Sequence, residues 1–251
     1  MVEVKKLSAG YGDVTILKEL SFSAASGSVT VLLGPNGCGK STLLKSLCGI
    51  LPVQGGDIVV DGQSVCNLEP RFLAQKIAYL PQNRPIPQIT VSRMVLHGRF
   101  PYLNYPRRYR AEDYAAANQA MDQMGILDLK DCSLQKLSGG QRQKVYIAMA
   151  LAQDTPVILL DEPTTFLDAA HQLQMMKQAK DLSRAGKSVI LVSHDLTMAL
   201  QNADQVIVME QGRNVVSGTA EDVFETGCLD HVFGISVRRI QTDHGWHYYY
   251  I

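Results

Sequence analysis

No stretch of this 251-residue chain is both long and apolar. Its apolar runs, such as Val29–Leu33 and Val157–Leu160, are far too short to span a bilayer, so any work at a membrane is expected to go through a partner. The opening residues MVEVKKLSAGYG hold a basic pair with no apolar run after it, so a signal peptide is not expected. Net charge is missing as well. Twenty-four Lys and Arg cancel 24 Asp and Glu, and no block of like charge marks either terminus. Non-specific binding to nucleic acid or anionic lipid therefore lacks an electrostatic footprint. The five cysteines (Cys38, Cys48, Cys66, Cys132, Cys228) have neither the even count of a disulfide framework nor metal-ligand spacing. They read as the reduced thiols of a cytosolic protein. No internal repeat or low-complexity segment is visible.

What is present is an ordinary globular composition, 46% hydrophobic and 19% charged, with enough chain to bury a sizeable core. Three short apolar runs, Val29–Leu33, Val157–Leu160 and Val189–Val192, each lead into a polar, glycine-rich or charged turn. Continuous rather than alternating apolar residues predict strands buried on both faces, as in a parallel sheet under helices. Helical patterns lie between them, at Ser41–Ile50 and Ala169–Arg184, the latter ended by Gly186. The βα alternation predicts an α/β core. Residues 1–27 and 56–66 read instead as short strands joined by turns, with Asp61-Gly62 as a hairpin signal. Helical patterns at Val91–His97, Ala111–Gly125 and Gly140–Ala152 fill residues 88–152. The tail, Val237–Ile251, reads as a hairpin turning at Asp243–Gly245. One domain over 1–251 is expected. Residues 1–87 and 153–251 would make the α/β core with an antiparallel β subdomain, and residues 88–152 a helical subdomain.

The run Gly34-Pro35-Asn36-Gly37-Cys38-Gly39-Lys40-Ser41 follows a predicted strand and opens a predicted helix. That is the setting in which G-x-x-x-x-G-K-[ST] cradles phosphates. Its glycines let backbone N–H groups turn inward, and the helix N-terminus adds partial positive charge. Lys40 would reach the β- and γ-phosphates, Ser41 would offer its hydroxyl to Mg²⁺, and Thr42 would lie near the α-phosphate. Downstream, Val157-Ile-Leu-Leu-Asp161-Glu162 is an apolar strand ending in two acids. Asp161 can hold Mg²⁺ through water and Glu162 can orient the attacking water. Cys38, inside the loop, has two readings: a thiol made acidic by the surrounding amides, or a small filler turned away from them.

Leu137-Ser138-Gly139-Gly140-Gln141 opens another predicted helix, for which a Ser N-cap followed by two glycines is an adequate structural reason, though it leaves Gln141 unexplained. With this motif the whole chain resembles the ATP-binding cassette (ABC) family. The glycine loop resembles its Walker A, the acidic strand its Walker B and LSGGQ its signature. Four smaller matches fall in order. Tyr11, between Gly10 and Gly12, resembles the aromatic that stacks on adenine. Gln82 resembles the glutamine that senses the γ-phosphate and its metal and moves with a membrane partner. Leu167-Asp168 resembles the loop that touches the opposite subunit, and His194 the switch histidine. The resemblance implies an ABC-type P-loop ATPase. ATP and Mg²⁺ are its cofactors, and Glu162, His194 and Gln82 its catalytic residues. It also implies that each ATP is sandwiched between the glycine loop of one copy and Ser138–Gln141 of a second.

Three stretches resemble importers of iron–siderophore complexes, haem and cobalamin: Arg71–Gln82; Val91–His97 followed by Gly98-Arg99-Phe100-Pro101; and Glu162–Gln172. They imply docking on integral-membrane permease subunits, two of them, through Gln82 and the Val91–Pro101 surface, with Arg99 as a contact. A substrate-binding protein would take part indirectly, nucleic acid would not, and the subunit would lie peripherally on the cytoplasmic face of the inner membrane. Besides an ABC transporter ATPase for another substrate, the competing readings are an exporter ATPase, a soluble cassette protein and a non-hydrolysing nucleotide-binding module. Gly98-Arg99-x-Pro101 on a single detached cassette argues against the first. The lack of a second cassette or heptad insert argues against the second, and intact Glu162 and His194 argue against the third.

Overall fold

The structure is a computed structural model describing residues 1–82, 84–163, 169–243 and 245–251. Val2, Val4, Leu7 and Ala9 are buried, with charged and polar residues between them, and this makes the first strand, β1 (Val2–Tyr11), amphipathic. A tight turn at Gly12 returns it as β2 (Val14–Ala24). After β3 (Val29–Leu33) the glycine loop leads into α1 (Lys40–Leu47). The chain then crosses back through β4 (Val53–Val60) and the short β5 (Gln63–Ser64), passes the one-turn α2 (Pro70–Leu73) and enters β6 (Ile77–Leu80). Helices α3 (Val91–Leu96), α4 (Ala111–Gln123) and α5 (Gly139–Ala152) follow, with a 3₁₀ stretch at His97–Tyr102. Next come β7 (Val157–Asp161), α6 (Ala169–Arg184), β8 (Ser188–Val192), α7 (Leu196–Asn202), β9 (Gln205–Glu210) and β10 (Arg213–Gly218). The chain closes with α8 (Ala220–Glu225), α9 (Cys228–Phe233) and the hairpin β11 (Val237–Thr242) and β12 (Gly245–Tyr250).

Two sheets result. An antiparallel one runs β2-β1-β4-β5; the larger runs β10-β9-β3-β8-β7-β6, parallel except for β10. Every residue of β3, β7 and β8 is buried, as their continuous apolar character predicts. Alternation along these strands divides the core. Leu32, Val157, Leu159, Ile190 and Val192 join α1 and the antiparallel sheet on one face. Val31, Ile158, Leu160, Val189 and Leu191 join α3–α7 on the other. The α/β core with a separate antiparallel sheet is therefore the expected fold. The predicted helices are present with ends shifted by a few residues; the first begins at Lys40 rather than Ser41 and stops at Leu47 rather than Ile50. No helix among the described residues is long and apolar enough to cross a membrane.

Candidate functional site

The glycine loop fills the turn between β3 and α1. Gly34 has φ of 153°, and a Cβ there would lie 2.2 Å from the Met209 carbonyl oxygen; Gly39 has φ of 109° and caps α1. Side chains are excluded at both positions, so the loop can wrap tightly. Lys40 is buried, and its Nζ donates to the carbonyls of Gly34 (2.6 Å) and Pro35 (3.0 Å). The ammonium is thereby held over the loop. Gly39 packs against Ile16 and Leu17 of β2, and Tyr11 stands half-exposed at the turn of the same hairpin. Thr42 is buried on α1.

The Cys38 thiol is buried against Gly34, and burial pushes its pKa up even though the Lys40 ammonium, with Nζ 3.9 Å from Sγ, pulls the other way. The reading of an acidic thiol is therefore corrected. The amides around it do not offset the loss of water, and Cys38 is the filler.

Register brings the acids to the loop. In the parallel pair β6–β7, Tyr79 sits opposite Leu159, and two residues on, on the same face, is Asp161. That face is the one α1 covers, so Ser41 meets Asp161: Ser41 Oγ donates to Asp161 Oδ1 at 3.1 Å. Tyr79 Oη donates to Asp161 Oδ2 at 3.0 Å. Burial raises the Asp161 pKa, which these two hydrogen bonds only partly offset. A hydroxyl and a carboxylate at this distance form the all-oxygen donor set that Mg²⁺ takes with water, so the residues fit that ion.

Glu162 follows at the strand end with φ of 47°, left-handed backbone for a non-glycine residue. Two groups converge on its carboxylate: Gln82 Nε2 donates to Oε2, and His194 Nε2, just past the end of β8, contacts Oε1. The three residues read as catalytic are thus gathered at the carboxyl ends of β6, β7 and β8, beside the Ser41–Asp161 pair. Asp168 lies outside the described residues.

Ser138 and Gln141 form a reciprocal cap at the start of α5. Ser138 Oγ accepts from the Gln141 N–H at 3.2 Å, and Gln141 Oε1 accepts from the Ser138 N–H at 3.0 Å. The position three residues on calls for Glu or Gln for this reason alone. Capping therefore accounts for Gln141 as well as Ser138, more than the sequence reading allowed it. Gly139 and Gly140 form the first turn between them.

Within Val91–Pro101, Val91, Val95, Leu96 and Gly98 face the core, and only Arg93, His97 and Phe100 are exposed. Arg99, expected at the docking surface, turns inward. It pairs with Asp113 at 3.0 Å, donates to the Ala152 carbonyl at 3.0 Å and lies 4.0 Å above the Tyr102 ring. The correction follows from α4: buried Asp113 needs a cation, and Arg99 supplies it. Beside this stretch opens a mainly apolar cleft of about 740 Å³ lined by Arg71, Phe100, Pro101, Leu103, Tyr105 and Arg107.

Sequence reasoning missed two residues. One is Tyr79, whose signal was a lone hydroxyl in the apolar strand Ile77-Ala78-Tyr79-Leu80. The other is Arg84, which burial pulls down to about 10; it donates to the Pro81 carbonyl (2.5 Å) and to Gln143 Oε1 of α5 (3.3 Å), and lies 4.6 Å from the Tyr146 ring centre. It ties the segment after Gln82 to the helix that starts at Ser138.

The family described as ABC transporter matches residues 17–165. The achromobactin transport ATP-binding protein of Dickeya dadantii is 40% identical over 93% of this chain and 88% of its own length. The iron(3+)-hydroxamate import ATP-binding protein of Bacillus subtilis is 38% identical over 96% of this chain and 90% of its own. A solved metal-chelate type ABC transporter in an inward-facing conformation superposes with a TM-score of 0.85 at 28% identity, covering 100% of this chain and 96% of that one.

Proposed function

The chain belongs to the ABC transporter family, and from that membership we propose that it is the ATP-hydrolysing subunit of an importer for a chelated metal compound, of the iron–siderophore, haem or cobalamin class. The observation that carries the chemistry is the convergence of Gln82 and His194 on Glu162, next to Ser41 and Asp161 and at the mouth of the glycine loop. The cargo class is supported by the names of relatives 36–40% identical over more than nine-tenths of the chain, among them siderophore transport and petrobactin import proteins.

In this reading the loop amides and the N-terminus of α1 hold the phosphates. Lys40 exchanges its two carbonyl contacts for the β- and γ-phosphate oxygens, and Tyr11 stacks on the base. Ser41 and Asp161, with Gln82, would hold Mg²⁺, which would neutralise charge on the phosphates. Glu162 orients a water whose oxygen attacks the γ-phosphorus. The bond to the ADP oxygen breaks, and the water proton passes toward the carboxylate. Gln82 and His194 grip both oxygens of Glu162 and so fix its aim.

A second copy supplies Ser138–Gln141 and Asp168 to the far side of the nucleotide. Permease subunits dock beside Gln82 through Arg93, His97, Phe100 and the neighbouring cleft, a substrate-binding protein acting through them. That places the subunit peripherally at the cytoplasmic face of the inner membrane.

Glu162→Gln keeps the shape and removes the base, so turnover should fall ~10²–10⁴-fold with nucleotide binding retained. A steady-state phosphate-release assay beside a fluorescent-nucleotide titration tests it, and unchanged turnover would remove Glu162 from the mechanism. For the cargo, ATPase stimulation is measured in the complex reconstituted with its permease and binding protein. A response to sugars, amino acids or peptides and to no metal chelate would overturn the importer class and leave the ATPase standing.

A further inference from the structure

Asp161 has two carboxylate oxygens, and the structure divides their work. Oδ1 faces Ser41 on α1, while Oδ2 is taken by the phenol of Tyr79, from the neighbouring strand. We propose that Tyr79 is a positioning residue for the metal site: its hydroxyl occupies Oδ2 and thereby fixes Oδ1 toward Ser41, where the divalent ion bound with ATP is held. The inference rests on the reading of Ser41 and Asp161 as the metal-holding pair, and adds to it a third residue that the motifs do not contain.

Three independent observations carry it. First, the contact is built into the sheet. Tyr79 and Leu159 are register partners, Asp161 follows on the same face, and α1 closes that face from above. Second, the phenol can serve only as a donor here. A carboxylate oxygen accepts, and Tyr79 Oη lies 3.0 Å from Asp161 Oδ2, so the phenol is the donor of this pair. Third, an otherwise apolar strand spends its one hydroxyl on this carboxylate: Ile77, Ala78 and Leu80 are all buried and apolar. A buried carboxylate oxygen without a donor is costly, and a charge-assisted hydrogen bond from a fixed ring also restricts rotation about the carboxylate bond. The same strand, extended by two residues, delivers Gln82 to Glu162. The end of β6 thus contacts both acids at the end of β7.

Tyr79→Phe keeps the ring and deletes the donor; Tyr79→His keeps a donor in a smaller side chain; Ser41→Ala removes a metal ligand and serves as reference. The readout is Mn²⁺ binding by electron paramagnetic resonance in the presence of a non-hydrolysable ATP analogue, with the Mg²⁺ dependence of ATPase activity as a second measure. Tyr79→Phe should weaken Mn²⁺ binding and raise the Mg²⁺ requirement about tenfold, the range expected on losing a hydrogen bond to a charged group. The rate at saturating Mg²⁺ should stay within about twofold, and Tyr79→His should lie between Phe and the parent. Parent-like Mn²⁺ binding in Tyr79→Phe, or equal loss in Phe and His, would overturn the proposal. Should Ser41→Ala also bind Mn²⁺ like the parent, it is the metal-site reading itself that fails. A defective Ser41→Ala beside a normal Tyr79→Phe removes Tyr79 alone.

Discussion

Replacing Arg99 by alanine asks whether this residue belongs to a docking surface or to the interior. The side chains of Arg99 and Asp113 are 13% and 4% exposed, and the guanidinium also serves the Ala152 carbonyl and covers the Tyr102 ring. Asp113 keeps one partner without it, the Arg110 N–H at 2.9 Å on Oδ2, while Oδ1 loses its charged donor in a place water hardly reaches. The 3₁₀ stretch, α4 and the end of α5 meet at this pair, so its loss loosens three segments at once. Removing one member of a buried ion pair costs about 3–5 kcal/mol. For a chain this long, each kcal/mol lowers Tm by roughly 2–4 °C, so a drop of ~10 °C is expected. Calorimetry and urea unfolding measure it. A double-mutant cycle with Asp113→Ala should show that the two losses do not add. Charge reversal, Arg99→Glu, should be worse, because it sets two carboxylates together. An Arg99→Ala protein with parent-like Tm and ATPase activity, defective only when coupled to its permease, would refute the structural role and restore the residue to the docking face.

Ser138→Ala should lower stability by about 1 kcal/mol through loss of the cap alone, visible in urea unfolding without nucleotide; equal stability would mean the cap is idle. Gly98→Ala would place a Cβ 2.2 Å from the Met149 carbonyl oxygen and 3.0 Å from the Gln153 nitrogen, both backbone atoms of the α5 turn beneath it. A loss of about 1–3 kcal/mol is expected, and an unchanged melting curve would contradict that packing. Burial raises the pKa of both Cys38 and Cys66, but Cys66 is exposed and Cys38 buried, so maleimide should label Cys66 first. The Cys38 rate should climb as pH rises toward and past 9. Site-resolved mass spectrometry decides it, and Cys38 reacting first at pH 7 would revive the acidic-thiol reading.

The fold was legible wherever burial leaves a one-dimensional trace. Val29–Leu33, Val157–Leu160 and Val189–Val192 are continuous apolar runs because helices or a second sheet cover both their faces. The amphipathic helices and the Asp61-Gly62 turn were legible for the same local reasons. The glycine loop, the acids and the LSGGQ run were readable as motifs, since their chemistry needs adjacent residues. Contacts between distant segments left no such trace. Nothing local marks Tyr79 as a partner of Asp161, because that depends on the register of two strands 80 residues apart. Arg99 looked like a surface residue for a similar reason: its counter-ion lies on another helix. Gln141 looked unexplained because the sequence argument counted only the Ser138 half of a two-way cap.

The left-handed backbone at Glu162 has a consequence for any attempt to stabilise this protein. Holding a side chain at φ of 47° costs about 1–2 kcal/mol relative to glycine. Asparagine bears less of that penalty. A screen that rewards heat resistance alone would therefore drift toward Gly or Asn at this position, enriching sturdier variants that have lost the carboxylate between Gln82 and His194. Thermal tolerance and turnover pull in opposite directions at this one residue, so a stabilised version of the chain has to gain its extra stability elsewhere.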